Sequence, residues 1–252
     1  MLSNNIIQNL TKKSAELRLK TFELFVQKGE AHLGGSFSMI EVLIYLHERV
    51  LNKKDKFILS KSHASFPLCI LLRERGYKTK ITTHLEHDPK NGIFCTTGSL
   101  GHGLPISVGM AFAKKKLKQP GKIYVLLSDG ECQEGTTWES LLIATKHKLH
   151  NLVVLIDYNK IQALSRIEDA LPLSNLKKKF EAFNCRALEV KNGHSFNEIN
   201  KAFKKKYKSP TVIIFHTIKG KGVKEFENKT VWHARKLEKN DIAIGKKRLG
   251  YL

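Results

Sequence analysis

Two short stretches carry the residue types from which a metal and phosphate site can be built. The first is Leu126-Leu127-Ser128-Asp129-Gly130-Glu131 and the second is Asp157-Tyr158-Asn159-Lys160-Ile161, with Asp129 and Asn159 thirty positions apart. A carboxylate and a side-chain amide oxygen are hard donors, and magnesium takes such oxygens in octahedral geometry together with phosphate oxygens and water. Gly130 has no side chain, so the backbone there can approach a diphosphate, and a following helix offers its N-terminal amides to the charge. Alone, an Asp-Gly pair is an ordinary turn and an Asn after a strand is an ordinary cap. Together they make a site only if the chain between them returns both residues to one edge of a sheet.

The intervening elements meet that condition. Ile123 to Leu127 and Leu152 to Ile156 are short, β-rich apolar runs that stop at polar residues, the pattern of buried strands. Between them, Thr137 to Leu149 carries Trp138, Leu141, Leu142 and Thr145 at helical spacing. A β-α-β unit joins parallel strands through a right-handed crossover, so Asp129 and Asn159 are expected at the same carboxyl edge, where open α/β sheets bind ligands. Lys56 to Ser60 and Thr211 to Phe215 read as two further strands. Residues 10–28, with Leu10, Leu17, Leu24 and Phe25, and residues 38–50, with Ile40, Leu43, Ile44 and Val50, read as amphipathic helices. Gly29 and Gly34-Gly35 are expected to punctuate a loop between them that holds His32. From about Lys236 the chain is polar and weakly patterned.

With these elements in place, the two stretches resemble the signature of thiamine diphosphate enzymes, which usually opens Gly-Asp-Gly. Ser128 stands for the first glycine here and leaves the metal-binding positions intact. Other segments resemble transketolases. Ala31-His32-Leu33-Gly34-Gly35 and Leu59-Ser60-Lys61-Ser62-His63-Ala64 look like their two early histidine motifs. Glu86-His87-Asp88-Pro89 looks like their histidine-proline loop, with the order around the histidine altered. Thr97-Gly98-Ser99-Leu100-Gly101-His102-Gly103 resembles the glycine loop over the cofactor, with His102 where the family more often has glutamine. Gln133-Glu134-Gly135 and Trp138-Glu139 continue the metal motif. Thr217-Ile218-Lys219-Gly220-Lys221-Gly222 and Trp232-His233-Ala234-Arg235 resemble the closing part of the same domain.

The resemblance implies an α/β chain with the three-layer thiamine diphosphate-binding fold, a mostly parallel central sheet flanked by helices. That domain would span 1–235, with 236–252 a C-terminal tail or docking segment. It implies that Asp129, Asn159 and the carbonyl of Ile161 hold Mg2+, or Ca2+ or Mn2+ in its place. Gly98, Ser99, Leu100, Gly130 and Glu131 would join them around the cofactor. His63 and His233 would contact the diphosphate, His32 and His87 would face the substrate, and all four would serve catalysis. Glu134 would lie at a subunit interface. The implied reaction moves a two-carbon ketol unit from a ketose or ketose phosphate to an aldose or aldose phosphate. A second domain supplies the glutamate that activates the aminopyrimidine ring in such enzymes, and nothing after Arg235 is long enough to be that domain. A separate C-terminal, pyrimidine-binding transketolase subunit is therefore the implied partner, in an α2β2 assembly.

Composition narrows the alternatives. With 252 residues, 41% hydrophobic and 27% charged, the chain has the make-up of a globular domain. No apolar run approaches the ~20 residues that span a bilayer, and the opening Met1-Leu2-Ser3-Asn4-Asn5 lacks a basic and then apolar leader, so the cytoplasm is the expected location. Cys69, Cys95, Cys132 and Cys185 form no Cys-x-x-Cys pair and read as free thiols. The net charge of +21 raises the reading of a non-catalytic, basic nucleic-acid-binding protein. Its Lys114-Lys115-Lys116, Lys177-Lys178-Lys179 and Lys204-Lys205-Lys206 runs fall on expected helices, where solvated faces explain them, and the kept Asp129, Asn159 and four histidines speak against it. The α subunit of a 2-oxo acid dehydrogenase or decarboxylase shares the metal signature, but would lack the set around His32, His63 and the 98–103 loop.

Overall fold

Strands buried on both faces need apolar residues at every position, and the centre of this protein is built from such runs. The computed structural model describes residues 1–29, 32–163, 165–204 and 208–250. Its sheet contains β1 (Lys56–Leu59), β2 (Ile123–Ser128), β3 (Leu152–Tyr158), β4 (Arg186–Val190) and β5 (Thr211–His216). The order is β1-β2-β3-β5-β4 and every pairing is parallel. Four strands lie where the sequence puts them. The fifth, β4, is an edge strand with Arg186 and Glu189 exposed, so its five residues never make the apolar run that marks the others.

Alternation along the strands sorts the helices into two outer layers. Leu126, Leu155, Ile213 and Phe215 point to α1 (Asn4–Lys28), α3 (Ile40–Tyr45), α4 (Phe66–Glu74) and α9 (Phe196–Phe203). Val125, Val154, Ile156 and Ile214 point to α5 (Gly103–Lys116), α6 (Gly135–Lys146) and α8 (Leu176–Ala182). Among the described residues no helix is long and apolar enough to cross a membrane. All four cysteines are buried free thiols.

Two local expectations change. Gly34 and Gly35 sit inside a helix, α2 (Leu33–Ser38), which turns at Met39 into α3 and a π-helical turn over Leu46–Val50. Gly34 is there for clearance: a β-carbon on it would stand 2.7 Å from the Trp232 carbonyl oxygen and 2.8 Å from Lys219 Cγ. Ala31 lies outside the described residues, as do Lys205 and Lys206. Near the end of the chain, Lys239–Leu249 forms a helix, numbered α10 after the short α7 (Ile167–Ala170), with a reciprocal cap between Glu238 and Asp241. It lies on α1 through Gly245 against the Phe22 ring, and Arg248 pairs with Glu225 at 2.6 Å. Close approach at a glycine leaves little apolar periodicity in the sequence, which is why the segment reads as unpatterned.

Candidate active site

The register of β2 on β3 pairs Ser128 with Asp157, so Asp129 and Asn159 leave adjacent strand ends at the carboxyl edge. Both line one cavity of about 520 Å3. Asp129 Oδ2 accepts the Lys160 N–H at 2.6 Å, and Asn159 Oδ1 accepts the Ile161 N–H at 3.1 Å. Asp129 is buried and forms no ion pair among the described residues. Burial, and then the neighbouring Asp157, pushes its carboxyl up to about 7. Asp157 is buried as well, which alone would raise it, but the Lys61 ammonium and hydrogen bonds from Lys61, Ser38 and Thr217 outweigh that and hold it low. The edge thus holds two adjacent carboxylates and compensates only one of them. A divalent cation beside Asp129 would supply the missing charge. Among the described residues no group of three or more His, Cys, Asp or Glu side chains could hold a metal. A cation here would therefore take carboxylate, amide and backbone oxygens and complete its shell from a ligand or water, the donor set of a hard ion.

Around this pair stand three histidines and two buried lysines. The His32, His63 and His233 rings form a triangle, with centroids 5.6 Å apart for His32 and His63, 5.8 Å for His32 and His233, and 5.5 Å for His63 and His233. Lys61 and Lys219 are each only 1% exposed. Lys61 donates to Asp157 and, at 2.9 Å, to the Gly35 carbonyl. Lys219 Nζ lies 2.8 Å from the Ile161 carbonyl oxygen and 3.1 Å from His233 Nδ1. Burial pulls Lys219 down to about 8. Burial and the charge of Lys61 hold His63 well below its ordinary value, while burial and Lys219 hold His233 at about 3. Near neutral pH these two imidazoles are uncharged, each with one N–H to donate and one nitrogen to accept. The ammonium groups give the cavity its field, which favours a polyanion.

The remaining sequence candidates divide. Gly98, Leu100, Gly130 and Ile161 line the cavity with Glu134, whereas Ser99 does not. Glu131 is not among the residues that line the cavity: its carboxylate is fully buried and faces protein, accepting from Ser60 Oγ, from Gly101 N at 3.1 Å and from Ser128 N at 2.8 Å. It fastens the glycine loop to the end of β2. His87 is exposed and lines a separate cavity of about 260 Å3 with Lys80, Glu86 and Asp88. The ring beside the main cavity is that of His84, whose Cδ2 would stand 2.5 Å from a β-carbon on Gly98. Reading the loop from Pro89 selects His87, and the signal that would have found His84 is His84-Leu85-Glu86 three residues earlier. Lys61 and Lys219 were also missed as site residues. Lysines are the residues least expected inside a protein, and only the adjoining His63 and Gly220 marked their segments.

Comparison with known proteins gives the family. The family model described as transketolase, thiamine diphosphate binding domain, matches residues 11–252. An apulose-4-phosphate transketolase subunit of Actinobacillus succinogenes is 34% identical over 256 residues, covering 92% of this chain and 92% of its own. The 6-deoxy-6-sulfo-D-fructose transketolase subunit SqwG of Clostridium sp. strain MSTE9 is 33% identical over 253 residues, covering 91% and 92%. The crystal structure of Campylobacter jejuni transketolase superposes with a TM-score of 0.84 at 28% identity, over 96% of this chain but 43% of that one. This chain thus spans less than half of that transketolase and nearly the whole of the two subunits. By fold, by the disposition of its strand-end residues and by these likenesses, the chain belongs to the transketolase family of transferases, as its thiamine diphosphate-binding domain.

Proposed function

We propose that this chain is the diphosphate- and Mg2+-binding subunit of a split transketolase, acting with a separate pyrimidine-binding chain in an α2β2 assembly. The reaction is transfer of a two-carbon ketol unit from an anionic ketose, such as a ketose phosphate, to an aldose phosphate. The observation that carries the reading is the pairing of Asp129 and Asn159 on adjacent strand ends beside two buried lysines. The likeness to proteins named as transketolase subunits, at nearly full length, supports a partner chain. Exposed Ile106 on α5 and Leu142 and Ile143 on α6 support an apolar interface near Glu134. Four free thiols support a reducing, cytoplasmic setting.

When bound, thiamine diphosphate supplies a nucleophilic carbon and a sink for the electron pair of the broken bond. The chain's own residues bind and position. Asp129, Asn159 and the Ile161 carbonyl would hold Mg2+, with Ca2+ or Mn2+ as substitutes, and Lys61 and Lys219 would balance the diphosphate charge. Uncharged His63 and His233 would donate N–H groups to its oxygens. His32 and His84 take and return the hydroxyl proton of the cleaved alcohol, work that suits imidazole near neutral pH. His87 has no place in this scheme.

The test is co-purification with a candidate pyrimidine-binding chain, followed by a ketol-transfer assay with thiamine diphosphate and Mg2+. Activity is expected only with both chains and the metal. A pair that binds the cofactor yet decarboxylates 2-oxo acids and transfers no ketol unit would replace this reading.

A further inference from the structure

The carboxyl edge carries a second cavity, of about 620 Å3, over the ends of β3, β5 and β4. Its lining includes four cationic side chains, Lys160, Arg166, Lys191 and Lys221, and no carboxylate. Lys221 pairs with Glu227 at 3.3 Å. Lys160, Arg166 and Lys191 pair with no acid among the described residues. A different basic cavity, at the amino edge, offers a contrast. There Lys114 donates to the Pro120 carbonyl at 2.6 Å, Lys115 to that of His147 at 2.7 Å, and Asp55 stands in the wall. Those two lysines already hold carbonyl partners. Lys160, Arg166 and Lys191 at the carboxyl edge line one concave surface with no acid to pair them.

Like charges gathered in a concavity repel each other, and its low-dielectric walls focus their field outward, so an oxyanion that bridges them is strongly favoured. The backbone adds to this. Lys160 is held at φ 66°, a left-handed conformation uncommon outside glycine. That conformation sets its N–H on Asp129 Oδ2 at 2.6 Å and its ammonium 5.6 Å from the Tyr158 ring centroid. Asn159 lines both cavities. One strained residue therefore joins the floor of the first cavity to the charge of the second.

We propose that this second cavity is a phosphate-group site, distinct from the diphosphate site, in which Lys160, Arg166 and Lys191 grip the anion. Its volume admits a phosphorylated small molecule and not only the bare ion. The phosphate can come from a sugar phosphate or from free inorganic phosphate.

Titration of the full chain with inorganic phosphate by calorimetry tests it, with and without saturating thiamine diphosphate and Mg2+. The double variant Arg166→Ala/Lys191→Ala is compared with Lys114→Ala/Lys115→Ala, which removes equal charge at the other pole. Saturable phosphate binding that survives thiamine diphosphate, weakens about tenfold or more in the first variant and holds in the second is the expected result. Equal weakening in both variants, or stoichiometric displacement of phosphate by thiamine diphosphate, overturns the site. Failure of thiamine diphosphate to bind at all would count against the functional reading alone. Displacement by a pentose phosphate but not by the pentose identifies the sugar as the source, and phosphate binding without such displacement identifies the free ion.

Discussion

Asp129 and Asp157 are neighbours with opposite fates, because Lys61, Ser38 and Thr217 all donate to Asp157. Lys61 compensates Asp157, whereas Asp129 waits for a charge from outside the chain. Asp129→Asn should therefore weaken Mg2+-supported binding of thiamine diphosphate by roughly a hundredfold, while leaving the fold as stable or slightly more so, because an amide is cheaper to bury than a carboxylate. Calorimetry together with a urea melt separates the two effects, and unchanged affinity would remove Asp129 from the metal site. The two loop histidines give a sharper contrast. His84, against Gly98, should lower turnover of the assembled enzyme by ~10²–10⁴-fold on replacement with Ala, the ordinary range for a general acid or base. His87→Ala should change it by no more than about twofold, since its exposed ring lines a different cavity. Comparable losses in both variants would refute the assignment.

At the scale of elements, a buried charge network ties the helices that carry the site. Arg18 of α1 pairs with Glu41 of α3, and Glu41 Oε2 lies 2.8 Å from Nδ1 of His194, whose other ring nitrogen accepts the Ile218 N–H at 2.9 Å. The network links both N-terminal helices to the segment that leads to Lys219. Burial alone would raise Glu41, but Arg18 and the His194 hydrogen bond outweigh it and hold it at about 2. Its folded value is thus depressed, so its contribution is complete above the ordinary carboxylate range and fades as pH falls toward 2. A drop of this size corresponds to about 3 kcal/mol. Glu41→Gln should cost about that much at pH 7 and progressively less toward pH 3, measured by urea denaturation. A deficit independent of pH would mean that packing, not charge, sets the cost. The same scale shows what patterning misses: β4 and α10 are held by an edge register and a glycine contact, and neither leaves a periodic apolar signature.

For the whole molecule, a site made of uncompensated charges couples ligand to stability. The Asp129 carboxylate is held beside a like charge and the Lys219 ammonium in burial, and the metal and cofactor would relieve both. Thiamine diphosphate with Mg2+, at a hundred times their dissociation constant, should stabilise the chain by about 2.7 kcal/mol. For a domain of this size that is a rise of about 5–10 °C in Tm, reversed by a chelator. A Tm that ignores both ligands would place the binding site elsewhere. The positive charge of the chain is also unevenly used. Part is engaged by backbone carbonyls at the amino pole, while part stands unpaired at the carboxyl edge, where ligands enter.

Residue type and spacing along the chain determined the parallel sheet, the carboxyl edge and the meeting of Asp129 with Asn159, because strand periodicity and crossover handedness are local rules that propagate. Tertiary structure alone decided that His84 and not His87 adjoins the cavity, that Glu131 turns inward to Ser60 and Gly101, and that Lys61 and Lys219 are buried against Asp157 and Ile161. It also placed Gly34 and Gly35 in a helix pressed against Trp232 and Lys219. These outcomes depend on which distant groups compete for the same few ångströms of space and the same hydrogen-bond partners, and chain position carries no record of that competition.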